Sequence, residues 1–238
     1  TVNLILGFLI YMMILFVWGK DTLSNEALPE GLQPSSVAAE VGFRPGDQVL
    51  GVDGTPLDNV LDVNRYLFLR HVKTVTVKQR EGNTETLNIP EDIGQQIFKS
   101  GELFPLVPAI PAVIDSVIPN SPAARSGLLP KDKILTINNQ PIHDWSDLGN
   151  TLDDQANQPI TLQINREGEI LQLDATTSAE STLGVFPKRP QITVTNKSLS
   201  LGESIRDGFA FGYWTLYDYV SQFQYIFTKK GASQVGGF

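Results

Sequence analysis

The stretch of sequence that decides the fold occurs twice. Residues 38–57 read AAEVGFRPGDQVLGVDGTPL, and residues 123–142 read AARSGLLPKDKILTINNQPI. An offset of 85 residues places Gly42 on Gly127 and Asp47 on Asp132. Two alanines followed by this glycine predict one helical turn with a left-handed cap, and the apolar run that follows predicts a short strand. A repeat of this length indicates two similar folding modules in tandem.

Each copy continues with the same order of elements. Arg-Glu-Gly follows the second strand of both copies and predicts a hairpin turn, because glycine tolerates positive φ. The predicted fold is therefore mainly β with short helices, as two small domains. The predicted elements of the two copies are helices 60–68 and 145–152, strands 74–79 and 160–164, turns 80–82 and 166–168, and return strands 86–89 and 170–173.

The composition excludes several classes of function. The 238 residues carry 18 Lys and Arg against 26 Asp and Glu, a net charge of −8, so nucleic acid is not an expected partner. The chain has no cysteine and two histidines, His71 and His143, which are far apart in the sequence. We therefore expect no metal site or catalytic triad made wholly by this chain, and we expect both histidines to be structural residues.

An uncharged block, Val2 to Gly19, precedes the first module. Eighteen helical residues span roughly 27 Å, close to the thickness of the bilayer core, and predict a transmembrane helix over residues 1–19. A signal peptide and a buried core helix are the alternatives, although the block has no basic start and no clear cleavage site. The acidic segment after Gly19 favours the non-cytoplasmic side for the modules.

The repeated turn that ends in Asp47 or Asp132, followed by an apolar strand and Asp53-Gly54 or Asn138-Asn139, resembles the PDZ domain in its circularly permuted bacterial form. The resemblance implies two partly open β-barrels or sandwiches with capping helices. Two such modules after an apolar helix resemble the site-2 intramembrane zinc metalloproteases, in particular the regulator-of-sigma-E protease branch. Asn3 matches the Asn that opens the second transmembrane helix of that family. Residues 185–187 and 234–237 resemble the family's approach to the next transmembrane helix.

The resemblance implies an enzyme, a metalloendopeptidase, whose zinc ligands lie outside this sequence. The family's His-Glu-x-x-His and Asn-x-x-Pro-x-Pro-x-Leu-Asp-Gly motifs do not occur here, so no residue of this chain is predicted to be catalytic or to bind metal. We expect an internal piece of a longer protein in the inner membrane of a bacterium, with the modules on the periplasmic side. The implied partners are the lipid bilayer and a membrane-protein substrate, through its C-terminal peptide.

A PDZ fold binds a peptide as an added strand, with backbone N–H groups holding the terminal carboxylate. In the second module, Leu183, Gly184 and Val185 match the family's carboxylate-binding loop, and Leu148 and Leu152 are predicted to line the groove. In the first module the matching stretch begins with Leu103 and Phe104 and continues with Pro105 and Leu106. Because Gly is absent and Pro105 has no N–H, we expect this groove not to accept a free carboxylate. Both modules acting as rigid spacers is the alternative.

The segment after the second module is aromatic and amphipathic, with apolar residues at helical spacing. We predict that it lies in the membrane interface, held by Phe211, Trp214 and Tyr217, and the alternative is a helix docked on the modules. The predicted function is the substrate filter or peptide-binding region of an intramembrane protease, and the alternative is a non-catalytic membrane-anchored PDZ adaptor. The predicted segments are a transmembrane helix 1–19, a first module 20–107, a second module 108–187, a linker or strand 188–202, the amphipathic helix 203–228 and an approach segment 229–238.

Overall fold

The computed structural model describes residues 2–226 and divides the chain into two compact units. The first unit joins the chain up to Val107 with the chain from Ile192 onward, and the second unit is Pro108–Gln191. The helices are α1 Val2–Trp18, α2 Ser36–Val41, α3 Val63–Leu69, α4 Ile93–Ser100, α5 Pro122–Ser126, α6 Trp145–Leu152 and α7 Leu201–Ile226, with 3-10 turns at Asn25–Ala27 and Val60–Asp62. The strands are β1 Lys20–Thr22, β2 Leu32–Pro34, β3 Gln48–Val52, β4 Thr74–Lys78, β5 Thr84–Asn88, β6 Leu106–Pro108, β7 Ile114–Val117, β8 Lys133–Ile137, β9 Gln140–Pro141, β10 Pro159–Arg166, β11 Glu169–Thr176, β12 Val185–Pro187 and β13 Thr195–Lys197.

The repeated stretch folds in the same way in both copies. Helices α2 and α5 begin after serine caps and end at Gly42 and Gly127, whose φ angles of 115° and 82° only glycine adopts without strain. The turn residues Asp53, Asn138 and Asn139 also have positive φ, as short polar residues tolerate. The predicted caps and turns are confirmed by these backbone angles.

In the first unit, β3, β4 and β5 form an antiparallel sheet, and β2 pairs with β6. The core between the sheets and α3 is apolar, and Val63, Val75 and Val77 in it are completely buried. Helix α4, which has no counterpart in the repeat, contributes Ile93 and Ile97 to this core. The predicted 188–202 linker contains β13, which pairs with β1.

In the second unit, the strands follow the order β11, β10, β8, β9 in one sheet, and β12 pairs with β7 in another. Ile134, Leu162 and Ile164 are completely buried between the sheets and α6. Through residues 2–226 the sheets remain separate and do not close into a barrel. The mainly β architecture with small helices is confirmed.

Helix α1 covers 17 residues and has no buried side chain. Leu9, Phe16 and Trp18 are each more than half exposed. Among residues 2–226, no helix combines the length and the apolar character that crossing a membrane requires. The predicted transmembrane helix over residues 1–19 is therefore not confirmed, and the helix is found as an exposed apolar element of the first unit.

Helix α7 packs closely against α1. A Cβ atom at Gly208 would lie 2.8 Å from Met12 Cα, and one at Gly212 would lie 2.5 Å from the Phe8 ring. Small residues four apart on one helix allow this backbone approach, as in tightly packed helix pairs. The pairing is antiparallel, because the later glycine of α7 meets the earlier residue of α1.

The second half of α7 docks on the first module at α3 and at Arg70, which follows α3. The guanidinium of Arg70 donates to both carboxylate oxygens of Asp218, at 2.8 and 2.7 Å, and lies 4.3 Å from the centre of the Trp214 ring. Burial alone would lower the pKa of Arg70, but the hydrogen bond and charge of Asp218 outweigh it and the pKa is raised. The ring of Tyr225 stacks on Phe68. The docked helix, which was the alternative prediction for this segment, is thus present, while its interfacial role stays a prediction. Residues 227–238, including the predicted approach segment, lie outside the described residues.

Candidate peptide-binding groove

The second unit contains an open groove between β12 and α6. It has a volume of about 350 Å³ and brings together all five residues predicted for the second module. Leu148 and Leu152 project from α6, and Leu183 with Gly184 forms the loop that leads into Val185 at the start of β12. The lining consists of Ile118, Trp145, Leu148, Gly149, Leu152, Asp153, Glu180, Ser181, Thr182, Leu183, Gly184 and Val185.

The backbone of the loop places N–H groups toward the groove. The carbonyl of Leu183 accepts from Ala123 N at 2.8 Å, and the carbonyl of Gly184 accepts from Ile118 N at 2.9 Å. In a trans peptide the N–H points opposite to the carbonyl of the same peptide unit. The N–H groups of Gly184 and Val185 therefore point away from these partners, as a backbone anion site requires.

Gly184 is required by the geometry of this loop. Its φ is +77°, and a Cβ atom at this position would lie 2.5 Å from Ser121 Cβ. Any other residue would be strained by its backbone angle and would also collide with the cap of α5. The loop can therefore keep this shape only with glycine.

Helix α6 is held firmly enough to act as the second wall. Its N-cap Asp144 is 1% exposed and accepts from the N–H groups of Ser146 and Asp147. The N–H of Trp145 donates to Ile110 O at 2.7 Å, which ties the first turn to the start of the module. Leu148 and Leu152 lie one turn apart on the buried face. The apolar floor of the groove is thus set by a capped helix.

The charged residues that line the groove are both acidic. Asp153 follows the last turn of α6 and Glu180 lies in the loop before β12, and both side chains are exposed. Because the lining contributes no Lys or Arg side chain, a bound carboxylate would be held by backbone N–H groups alone. The acidic rim would favour a basic side chain elsewhere on the ligand.

The first module has no equivalent loop. Leu103 and Phe104 are 44% and 72% exposed and precede β6, and their role in peptide binding stays a prediction. The carbonyl of Pro105 accepts from Ser35 N at 2.7 Å, as that of Gly184 accepts from Ile118 N. Pro105 therefore takes the place of Gly184, one residue later than the sequence comparison placed the change.

A contact that the sequence did not indicate fills the space between α3 and β6. The side chain of Asn64 is bonded to both main-chain polar groups of Leu106. No local pattern signals a bond between residues 42 positions apart. The offset of 85 residues does align Asn64 with Gly149, and this change from Asn to Gly between the two copies is the sequence signal that could have singled out Asn64.

A second cavity, of about 520 Å³, lies between α5 and strands β10 and β11. Its charged lining residues are Arg125 and Asp174, and each already has a partner. Arg125 donates to Asn120 O at 2.6 Å, and Asp174 accepts from the Thr161 hydroxyl at 3.0 Å. Each of these two charged side chains is therefore engaged by at least one hydrogen bond within the module.

The described residues do not fit a zinc site. Among residues 2–226, no three His, Cys, Asp or Glu side chains lie close enough together to hold a metal ion. His71 and His143 are both exposed and belong to different units. No chemical step can therefore be derived through zinc from these residues.

Comparisons with known proteins agree with the two modules. A model of the PDZ domain matches residues 30–79, and another model of the PDZ domain matches residues 92–177. The chain is 29% identical over 174 residues to the regulator of sigma-E protease RseP of Salmonella typhimurium (strain 14028s), covering 66% of this chain and 39% of the relative. It is 28% identical over 147 residues to a putative zinc metalloprotease of Neisseria meningitidis serogroup A, covering 58% and 32%. The chain thus spans less than half the length of these relatives.

Two solved structures share local similarity. The PDZ domain of HtrA3 bound to a phage-derived ligand is 28% identical, with a TM-score of 0.26, covering 30% of this chain and 66% of that chain. The HtrA-type protease AlgW with a decapeptide is 22% identical, with a TM-score of 0.27, covering 51% and 44%. Likenesses at these TM-scores add nothing to the assignment, which rests on the sequence relatives.

Proposed function

We propose that this chain, which belongs to the regulator-of-sigma-E branch of the site-2 zinc metalloproteases and carries two PDZ domains, selects the substrates of a membrane protease. The observation that carries the proposal is the open groove of the second module, with its apolar floor and inward N–H groups. The proteolysis itself belongs to the whole protein. Zinc would supply its Lewis acid and activated water from residues outside this chain.

The groove suits the C-terminal end of an extended peptide. The ligand would add as a strand along the free edge of β12, because the other edge is paired with β7. Its terminal carboxylate would accept from the N–H groups of Gly184 and Val185. Its last side chain would then rest between Leu148, Leu152 and Leu183, which favours an aliphatic residue there. The ligand class is therefore a peptide with a free carboxylate and an apolar last residue.

We further propose that lipid covers the exposed apolar surface of α1 and α7. Ile5 and Leu9 of α1 and Phe209 and Val220 of α7 are each more than half exposed. Exposed apolar side chains on both helices of a packed pair are typical of a membrane contact. Because α7 is also docked on the first module, that module would be held at the membrane. The inner membrane of a bacterium and the periplasmic side follow from the family and are part of this proposal.

Peptide titration tests the groove directly. The 238-residue chain in detergent is mixed with a fluorescein-labelled decapeptide ending in Ala-Leu-Val, with a free or an amidated C-terminus. We expect saturable binding of the free acid, and at least tenfold weaker binding of the amide. Gly184→Asp should abolish binding, because its side chain collides with Ser121 and places a negative charge at the carboxylate site. Equal binding of acid and amide, or by the Gly184→Asp variant, would exclude the proposed site.

The filter function needs the full-length protease. Removing the second unit by joining Val107 to Ile192 deletes the groove and leaves the first unit continuous. If this unit selects substrates, cleavage of a substrate that still carries its bulky outer domain should rise relative to a trimmed substrate. The Gly184→Asp variant separates peptide recognition from steric exclusion, because it keeps the bulk of the module. Unchanged discrimination in the deletion variant would contradict the filter.

A further inference from the structure

The side chain of Asn64 occupies the place beside β6 where a peptide would bind to the first module. It lies on α3 and is 7% exposed. Its amide nitrogen donates to Leu106 O at 2.8 Å, and its amide oxygen accepts from Leu106 N at 2.9 Å. These are the two main-chain groups that a peptide added beside β6 would use at this residue.

The direction of these groups confirms that they face α3. Pro105 O accepts from Ser35 N on the β2 side, so the N–H of Leu106 points the opposite way. Pro105 itself has no N–H to offer. Of the two N–H groups that Gly184 and Val185 direct into the second groove, one is absent at Pro105 and the other, on Leu106, is bonded to Asn64.

The residue equivalent to Asn64 in the second module is Gly149. The two helices are in the same register, because Val63 and Leu67 are buried on α3 as Leu148 and Leu152 are on α6. Gly149 lines the open groove, and a Cβ atom there would meet nothing within 4 Å. The space that the amide of Asn64 fills in one module is left empty in the other.

We infer that this helix position, together with Pro105, decides which groove takes a peptide: Asn64 closes the first groove, and Gly149 keeps the second open. The part that concerns the second groove rests on the proposed function. A peptide entering the first groove would have to displace both bonds to Leu106, and the buried amide of Asn64 would keep only its hydrogen bond to Leu61 O at 3.2 Å. Phe68 on α3 and Arg70, which follows the helix, contact α7. The first module is thus a receptor for a segment of its own chain, and the second is a receptor for a separate peptide.

Hydrogen exchange tests the first half without any ligand. In the 238-residue chain, the Leu106 amide is followed by mass spectrometry after Asn64→Gly and after Asn64→Leu, which fills a similar volume without hydrogen bonds. We expect exchange at Leu106 to become at least tenfold faster in both variants, with exchange in β10 and β11 unchanged. Unchanged exchange at Leu106 would overturn the assignment of Asn64. General loosening would instead raise exchange in β4 as well, and only a rise confined to the β6 region supports the proposal.

Substitution at Gly149 tests the second half. Binding of the fluorescein-labelled decapeptide is measured for Gly149→Asn and for Gly149→Ala, with thermal melting to check that both variants fold. We expect Asn to reduce affinity at least tenfold and Ala to change it by less than about threefold. Equal losses in the two variants, or none, would overturn the role of this position. If the unsubstituted chain binds no peptide, the proposed function fails, while the exchange experiment still decides the role of Asn64.

Discussion

The two modules share one backbone plan but differ where a ligand would lie. Both have a serine-capped helical turn, a Gly cap and a buried turn aspartate, Asp47 or Asp132, at equivalent positions. At the groove, however, the first module has Pro105 where the second has Gly184, and it has Asn64 where the second has Gly149. The two copies of the repeat share the residues that shape the chain and differ at the residues that would face a ligand. A module can therefore keep the PDZ fold and lose an open groove.

The modules also differ at their equivalent aspartates. Asp132 accepts from Leu129 N and forms two bonds with Arg166, at 2.8 and 2.7 Å. Asp47 accepts from Arg44 N, but its Oδ1 has no hydrogen-bond partner among the described residues. Burial raises the pKa of Asp47 above its ordinary value, and the bond from Arg44 only partly offsets this. Both carboxylate oxygens of the turn aspartate are thus hydrogen-bonded in the second module, whereas in the first module the buried carboxylate has one oxygen without a partner among the described residues.

The largest expected effect comes from breaking the contact that only the first module has. Asp218→Ala leaves Arg70, whose side chain is 9% exposed, without its carboxylate. We expect a loss of about 3 to 5 kcal/mol in the free energy of unfolding of the first unit, as for other buried pairs. Denaturant unfolding followed by Trp214 fluorescence measures it. The double variant Arg70→Met with Asp218→Leu should recover most of the loss, and peptide binding by the second module should not change.

A smaller effect should distinguish the two turn aspartates. Asp132→Asn removes the charge that pairs with Arg166 and should cost about 2 kcal/mol, since Arg166 is partly exposed. Asp47→Asn should cost less than about 0.5 kcal/mol or stabilise the fold, because it removes a penalised charge. Because the folded pKa of Asp47 is raised, its contribution to stability is present below about pH 4 and is lost as the pH rises through the folded value. Unfolding curves measured at several pH values test this assignment. If the Asp47→Asn variant still lost stability as the pH rises above about 4, as the unsubstituted chain is expected to do, Asp47 would not be the group responsible.

The contact of Tyr225 should give an effect of about 1 kcal/mol. Its hydroxyl donates to Phe68 O and its ring stacks on Phe68 and Phe98. Burial raises the pKa of Tyr225 to about 12, so the contribution of the neutral phenol is full below about pH 10 and is lost as the pH rises toward about 12. Tyr225→Phe keeps the stacking, loses the hydrogen bond and should remove this alkaline dependence. An alkaline unfolding profile identical in the two proteins would refute the assignment.

The smallest expected effect sharpens the ligand preference of the second groove. Glu180→Lys should weaken binding of a decapeptide with a basic next-to-last residue about twofold and strengthen binding of an acidic one by a similar factor. The effect is small because the side chain is exposed, and it should disappear in high salt. Asp154→Lys, at an exposed residue that does not line the groove, is the matched control. If the preference for a basic over an acidic peptide does not change with the charge of residue 180, the acidic rim has no part in peptide recognition.

Much of the fold could be predicted because its signals are local. Alanines before Gly42 and Gly127 specify capped turns, and helix α6 follows the predicted bounds because Asp144 caps it and its leucines repeat at helical spacing. In the second groove the predicted residues lie together because a loop and a facing helix, each recognisable in sequence, form it. Whether they bind a peptide stays a prediction.

The features that were not predicted depend on contacts distant in sequence. The bond of Asn64 to Leu106 and the pair formed by Arg70 and Asp218 join residues with no shared local pattern. Gly208 and Gly212 did carry a signal, since two glycines four apart on an apolar helix indicate close helix packing. Without a partner helix in view, that spacing does not say what packs there.

The first unit is built from two separate stretches of chain, and this affects the order in which the protein can fold. The second unit is continuous from Pro108 to Gln191, so all its strands are available once that stretch has been made. The first unit needs β13 and α7, which come later, to pair β1 and to cover α3. During synthesis from the N-terminus, the second unit can therefore complete its core first. Until α7 has been synthesised, it cannot cover the apolar surfaces of α1 and α3. The nascent chain is therefore most prone to aggregation in the interval before α7 is made.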